Sequence, residues 1–184
     1  MVTTRNEKVA IMMGSTKYAH RLGVLSDENC WSLLRHYSFD GRQEKESEKL
    51  KEIGMEISKK CNGLPLSAKT LGSLLRFKES KQEWQYILQN DIWKVVSTLD
   101  EPVLPALLLS YNDLPSHLKQ CFAYCSLFPR AYLISKYAII RHWMAQGFLG
   151  DHLAAKCEDL IAVGEEYFNH LVMRSFFQKD VTNS

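Results

Sequence analysis

Apolar positions along the chain recur mostly at intervals of three and four, the period of an amphipathic helix, so the pattern predicts a mainly α-helical assembly. After Leu25, Ser26 can cap a helix that sets Cys30, Leu33, Leu34 and Tyr37 on one face, with Asp27 and Glu28 in its positively polarised first turn. Residues 43–60 are strongly charged, yet they space Leu50, Ile53, Ile57 and Cys61 at three or four residues. That is one buried stripe on a solvated helix. Asn62 and Gly63 stop it, because glycine accepts the left-handed conformation that closes a helix. Pro65 suits the first turn of the next helix, where its missing N–H costs nothing, and Ala68, Leu71, Leu74 and Leu75 follow along one side. Ser80 and Glu83 form a capping-box pattern ahead of Trp84, Ile87 and Leu88.

Residues 97–102, polar, acidic and closed by Pro102, read as a linker. Beyond it the spacing predicts an apolar helix over 103–111 that ends at Asn112-Asp-Leu-Pro115, and a second over 116–128 stopped by Pro129. A third covers 136–146 and closes at Gly147. A long one over 157–177 turns Leu160, Ile161, Gly164, Phe168, Leu171 and Val172 inward. Residues 175–178 are apolar enough to begin a strand, and short helices on tight turns fit a helix-turn-helix or winged-helix unit. The opening is ambiguous: residues 1–5 can form a strand end, while 7–13 can form a helical turn closed by Gly14.

Composition narrows the class. The 184 residues are 46% hydrophobic and 24% charged, which a disordered chain does not afford. No apolar run approaches the roughly 18 residues of a membrane-crossing helix. A formal charge of +2 lacks the one-sided surplus that nucleic-acid binding requires, so no nucleic-acid partner is expected. The first residues have no apolar stretch of signal-peptide length. Cys30, Cys61, Cys121, Cys125 and Cys157 are odd in number and scattered without a Cys-x-x-Cys pair, which fits reduced thiols in the cytoplasm.

Four patterns invite chemistry, and each reads better another way on its own residues. Gly63-Leu-Pro-Leu-Ser-Ala-Lys-Thr70 resembles a phosphate-binding loop, but Ala68 stands where the second glycine belongs and a charged helix precedes it. His117, Cys121 and Cys125, four residues apart, share a helix face; two buried thiols with a histidine near the helix start explain them better than zinc. The six histidines are dispersed without a nucleophile signature, and Glu165 and Glu166 lie on a polar helix side, so no catalytic constellation stands out. The helix over 136–146 can be read as a DNA-recognition helix. Its Ile139, Ile140, Trp143 and Met144 suit packing on protein better than reading bases.

Read in order, several of these segments resemble the NB-ARC region of plant disease-resistance proteins of the nucleotide-binding, leucine-rich-repeat class. Residues 2–10, Val-Thr-Thr-Arg-Asn-Glu-Lys-Val-Ala, are similar to its sensor strand, and 25–34, Leu-Ser-Asp-Glu-Asn-Cys-Trp-Ser-Leu-Leu, to its next motif. Cys61-Asn-Gly-Leu-Pro-Leu66 is similar to its Gly-Leu-Pro-Leu turn, with Ser67 in place of the alanine usual after it. Residues 109–115 (Leu-Ser-Tyr-Asn-Asp-Leu-Pro), 121–129 (Cys-Phe-Ala-Tyr-Cys-Ser-Leu-Phe-Pro) and 142–149 (His-Trp-Met-Ala-Gln-Gly-Phe-Leu) resemble its winged-helix motifs.

The resemblance implies a switch in plant defence that holds ADP at rest and exchanges it for ATP. It implies residues 1–20 as the tail of the nucleotide-binding core with its sensor strand, 21–98 as a helical domain and 99–184 as an incomplete winged-helix domain. It places Arg5 near the terminal phosphate and Pro65 on the adenine, with Gly63, Leu64 and Leu66 shaping the turn; an arginine fork matches phosphate oxygens and a proline ring offers a base a rigid apolar face. The family's phosphate loop, magnesium-holding strand, Met-His-Asp motif and leucine-rich repeats have no counterpart in these residues, so this chain is expected to be no enzyme and to hold ADP or ATP weakly by itself. Its expected partners are that phosphate-loop subdomain and those repeats. A protein-interaction module that no longer sees nucleotide is the leading alternative, and a DNA-binding winged helix the next.

Overall fold

A computed structural model describes residues 3–4, 7–14, 20–42, 44–95, 104–129, 132–150 and 157–178. Arg5 and the linker over 97–102 lie outside them. Helices make up the regular structure of the described residues: α1 Glu7–Met12, α2 Asp27–Ser38, α3 Glu44–Lys60, α4 Pro65–Leu75, α5 Lys81–Gln89, α6 Ile92–Val95, α7 Pro105–Asn112, α8 Ser116–Tyr124, α9 Lys136–Ala145 and α10 Cys157–Met173. A 3-10 turn, Cys125–Leu127, extends α8.

The ends of these helices follow the local chemistry. Ser26 caps α2 by accepting from Asn29 N at 3.3 Å. The Ser80 and Glu83 side chains satisfy each other's backbone amides at the start of α5, a complete capping box. Proline opens both α4 and α7. The stripe of α3 is buried as its spacing demands, with Leu50, Ile53 and Ile57 inside and Cys61 just past its end.

Two hydrophobic cores result. The first gathers α2, α3, α4 and α5 around Leu34, Leu71 and Trp84, and takes in Ala106 and Leu109 of α7. The second gathers α8, α9 and α10 around Leu118, Ile140, Trp143 and Leu171. By packing, the change from one core to the other falls between Leu109 and Leu114. The fully buried Trp84 and Trp143 each direct the indole N–H to a backbone carbonyl, that of Lys78 at 2.9 Å and that of Cys121 at 3.0 Å. A buried donor is thereby satisfied while the ring fills the core.

The helical turn expected over 7–13 is present: Glu7–Met12 forms α1, closed at Gly14 with φ +70°. Two local expectations are corrected, and the sensor-strand resemblance over 2–10 is narrowed, since its described residues 3–4 are irregular and 7–10 helical, with no strand beside them among the described residues. A strand needs a neighbour to take its amides, whereas a helical turn satisfies them internally. Residues 175–178 are likewise no strand. Ser175 takes φ +63° and ends α10, with Ser175 N donating to Val172 O at 2.9 Å and Phe176 N to Leu171 O at 2.9 Å. This pair of bonds is a Schellman closure, and it swings the next rings onto the second core, Phe176 to 4.7 Å from Phe122 and Phe177 to 5.3 Å from Phe168. Finally, Ile161 points outward, while its neighbour Leu160 is buried.

Candidate functional site

The residues singled out from the sequence for nucleotide contact centre on the turn from α3 to α4. Asn62 and Gly63 take φ +50° and +68° in succession, and Leu64 returns to extended backbone before Pro65 opens α4. Leu64 N donates to Cys61 O at 3.0 Å, closing the turn on itself. The turn is also clasped from outside: Leu25 N donates to Gly63 O at 2.8 Å. A Cβ at residue 63 would lie 2.5 Å from Leu25 O and 2.8 Å from Val24 Cβ. Glycine is required here twice, by conformation and by space.

Beneath the turn sit two thiols, Cys30 and Cys61, both buried. Cys30 Sγ donates to Ser58 O at 3.4 Å and Cys61 Sγ to Ile57 O at 3.7 Å. Burial pushes both thiols up from their ordinary range, so they act as small apolar fillers with weak S–H donors. The underside of the turn is therefore dry and fixed.

Its upper side is the reverse. Leu64 and Leu66 are 36% and 40% exposed, Pro65 is exposed between them, and Val24, on the segment that clasps Gly63, is 69% exposed. Four apolar side chains thus face outward around one rigid backbone clasp, and α4 begins there without a side-chain cap. Such a ledge can take a flat apolar face and offers open first-turn amides beside it. Leu25 and Val24 were not singled out as site residues. The signal for Leu25 was its place just before the Ser26 cap, which fixes the chain beside the turn.

Arg5 lies outside the described residues, so its relation to this ledge is not part of the geometry. The helix that follows it, α1, is joined to the segment entering the clasp by an exposed ion pair, Arg21 Nη2 to Glu7 Oε1 at 3.0 Å.

The remaining candidates resolve into packing. Ala68, Lys69 and Thr70 of the phosphate-loop look-alike lie inside α4, with Thr70 buried and Lys69 Nζ 5.7 Å from the centre of the Tyr37 ring. Helical backbone cannot wrap a phosphate. His117 stacks on Tyr167 with ring centres 4.6 Å apart, and Cys125 Sγ donates to Cys121 O at 3.5 Å. Burial pushes Cys121 up to about 12 and Cys125 up to about 11. Among the described residues no three His, Cys, Asp or Glu side chains gather in a way that can hold a metal ion. Helix α9 spends Ile139, Ile140 and Trp143 on the second core, and Lys136 Nζ pairs with Glu165 Oε1 at 3.2 Å.

A cleft of about 940 Å³ opens elsewhere, beside Asp40, Arg42, Lys49 and Arg76. Its main cations are already engaged: Arg76 pairs with Asp40 at 3.0 Å, and Arg42 caps the end of α4 through the carbonyls of Leu75, Arg76 and Lys78.

Comparison with known proteins agrees with this arrangement of a helical unit and a winged-helix unit. Residues 127–184 match the family described as disease resistance protein winged helix domain, and residues 1–44 match the NB-ARC domain. The chain is 44% identical over 179 residues to disease resistance protein RGA2 of Solanum bulbocastanum, covering 97% of this chain and 18% of that protein. It is 34% identical over 183 residues to disease resistance protein RPM1 of Arabidopsis thaliana, covering 97% of this chain and 19% of that protein. The chain therefore carries NB-ARC and disease-resistance winged-helix sequence, and its relatives are plant disease-resistance proteins. It spans about a fifth of their length. No helix among the described residues is long and apolar enough to cross a membrane.

Proposed function

We propose that this chain supplies the lid and the moving winged-helix part of an ADP/ATP-dependent switch acting in plant defence. The observation that carries the reading is the clasped turn at Gly63: a rigid backbone, anchored to Leu25, that holds Leu64, Pro65 and Leu66 outward as an apolar ledge. The ledge fits the base end of a nucleotide. Pro65 would lie against the purine, and Leu64 and Leu66 would border it.

The phosphate end must be held by other groups. Arg5 is the candidate within this chain, and its guanidinium would match the terminal phosphate oxygens in a fork. The greater part of nucleotide affinity comes from backbone amides and charges around the phosphates. For that reason the chain alone is proposed to bind nucleotide weakly and to perform no hydrolysis. Its partners would be the phosphate-binding subdomain that supplies the rest of the site and the repeats that read the pathogen signal.

Calorimetric titration of ADP tests this. The chain alone is expected to show no binding tighter than millimolar. A longer chain carrying an NB-ARC phosphate-binding segment ahead of residue 1 is expected to bind at least a hundredfold tighter, about 2.7 kcal/mol in free energy. Submicromolar affinity of the chain alone, or indifference of the longer chain to Pro65→Ala, would overturn the assignment of the ledge.

A further inference from the structure

The seam between the two cores holds a charge cluster that the nucleotide reading does not use. Asp113, in the turn between α7 and α8, accepts from two cations: Lys78 Nζ reaches Oδ1 at 2.6 Å and Arg174 Nη1 reaches Oδ2 at 2.9 Å. Lys78 belongs to the loop between α4 and α5, and its carbonyl takes the Trp84 indole N–H, so it is tied into the first core. Arg174 caps α10, through its N–H to His170 O at 3.0 Å, and so belongs to the second core.

Arg174 is only 6% exposed. Its guanidinium carbon sits 4.5 Å from the centre of the Phe77 ring, and its Nε has no partner. A guanidinium this far from water depends on its counter-charge, because an unpaired buried charge is strongly unfavourable. Two further contacts cross the seam beside it: the hydroxyls of Ser73 and Ser175 share a hydrogen bond of 2.8 Å, and the rings of Phe77 and His170 lie 5.7 Å apart. Otherwise α8, α9 and α10 pack mainly on one another and α7 packs mainly on α4. Among the described residues the seam is thus narrow, with the Asp113 carboxylate between its two cations.

We infer that Asp113 is the pin that fixes the end of α10 on the first core, so that loss of its charge releases the two units from each other while each core stays folded. The mechanism is specific to charge. Removing the carboxylate strands Arg174, which must then leave the seam to reach water, and the Ser73–Ser175 and Phe77–His170 contacts go with it. Lys78, one-fifth exposed in its side chain, can turn to solvent without that consequence.

Hydrogen–deuterium exchange on the full chain tests the pin. Asp113→Asn is expected to speed amide exchange over residues 174–178 and 76–80 by about tenfold or more, while 68–74 and 139–143 keep their protection. Adding Arg174→Met should bring exchange at 76–80 back toward the parent rate, because no charge is then left without a partner. Unchanged exchange at the seam, loss of protection over 68–74 and 139–143 in Asp113→Asn, or effects of the two substitutions that simply add would each overturn the proposal.

Discussion

The Gly63 carbonyl and the Leu25 amide are joined at 2.8 Å, and the same approach brings Leu25 O to 2.5 Å from where a Cβ on residue 63 would stand. The α3–α4 turn is therefore not free to accept a side chain. Gly63→Ala is expected to destabilise the chain by roughly 1–3 kcal/mol, since it adds left-handed strain to a backbone clash. Urea unfolding checks the magnitude. Faster exchange of the Leu25 amide would show that the loss starts at the clasp.

Thiol chemistry should separate the five cysteines sharply. Cys157 is exposed, whereas Cys30, Cys61 and Cys121 are buried and Cys125 half-buried. Burial raises all four of the latter, so at pH 8 almost none of their sulfur is thiolate. A chromogenic disulfide reagent is expected to titrate one thiol quickly in the native chain and the rest only as it unfolds. Fast reaction at Cys30 or Cys61 would mean that the turn above them opens readily.

The α5 capping box carries a pH signature. The backbone and side-chain hydrogen bonds of Ser80 hold the Glu83 carboxyl below its usual range. A depressed folded value means the contribution is present above the unfolded glutamate value and is lost as pH falls through the folded one. Glu83→Gln should flatten this acid-side loss in thermal unfolding below about pH 4.5. Ser80→Ala should cost about 1 kcal/mol at neutral pH by removing the cap altogether.

The second core closes over Gly164, where an added Cβ would stand 2.5 Å from Ile140 Cγ2 and 3.0 Å from Leu149 Cδ1. Gly164→Ala is expected to push α10 from α9 and lower stability by roughly 1–3 kcal/mol. Trp143→Ala, which leaves a large cavity and removes the indole donor from the Cys121 carbonyl, should cost roughly 3–5 kcal/mol. Calorimetric melting of both variants checks the order.

Much of the helical framework was legible because its signals are local. Ser26, the Ser80 and Glu83 pair, Asn62-Gly63 and Pro65 act within four residues of the ends they set, and the stripe of Leu50, Ile53 and Ile57 reports one face at one period. The misreadings arose where long-range packing decides. The two rings of Phe176 and Phe177 look like the start of a strand, yet a left-handed Ser175 and the aromatic surface of Phe122 and Phe168 fold them back. Residues 7–10 can serve strand or helix, and the neighbour determines which. For the site, the turn at Gly63 was visible in sequence as a helix stop. Val24 beside it, and the pairing of Asp113 with Arg174 sixty-one positions away, have no local signature.

Photolabelling with 8-azido-ADP, in a chain extended by an NB-ARC phosphate-binding segment, asks whether the ledge at Gly63 receives the base. Covalent label is expected on the peptide containing Leu64, Pro65 and Leu66, lost on competition with ADP and weakened by Pro65→Ala. Label confined instead to the cleft beside Asp40, Arg42 and Arg76, with Pro65→Ala without effect, would contradict this placement of the base.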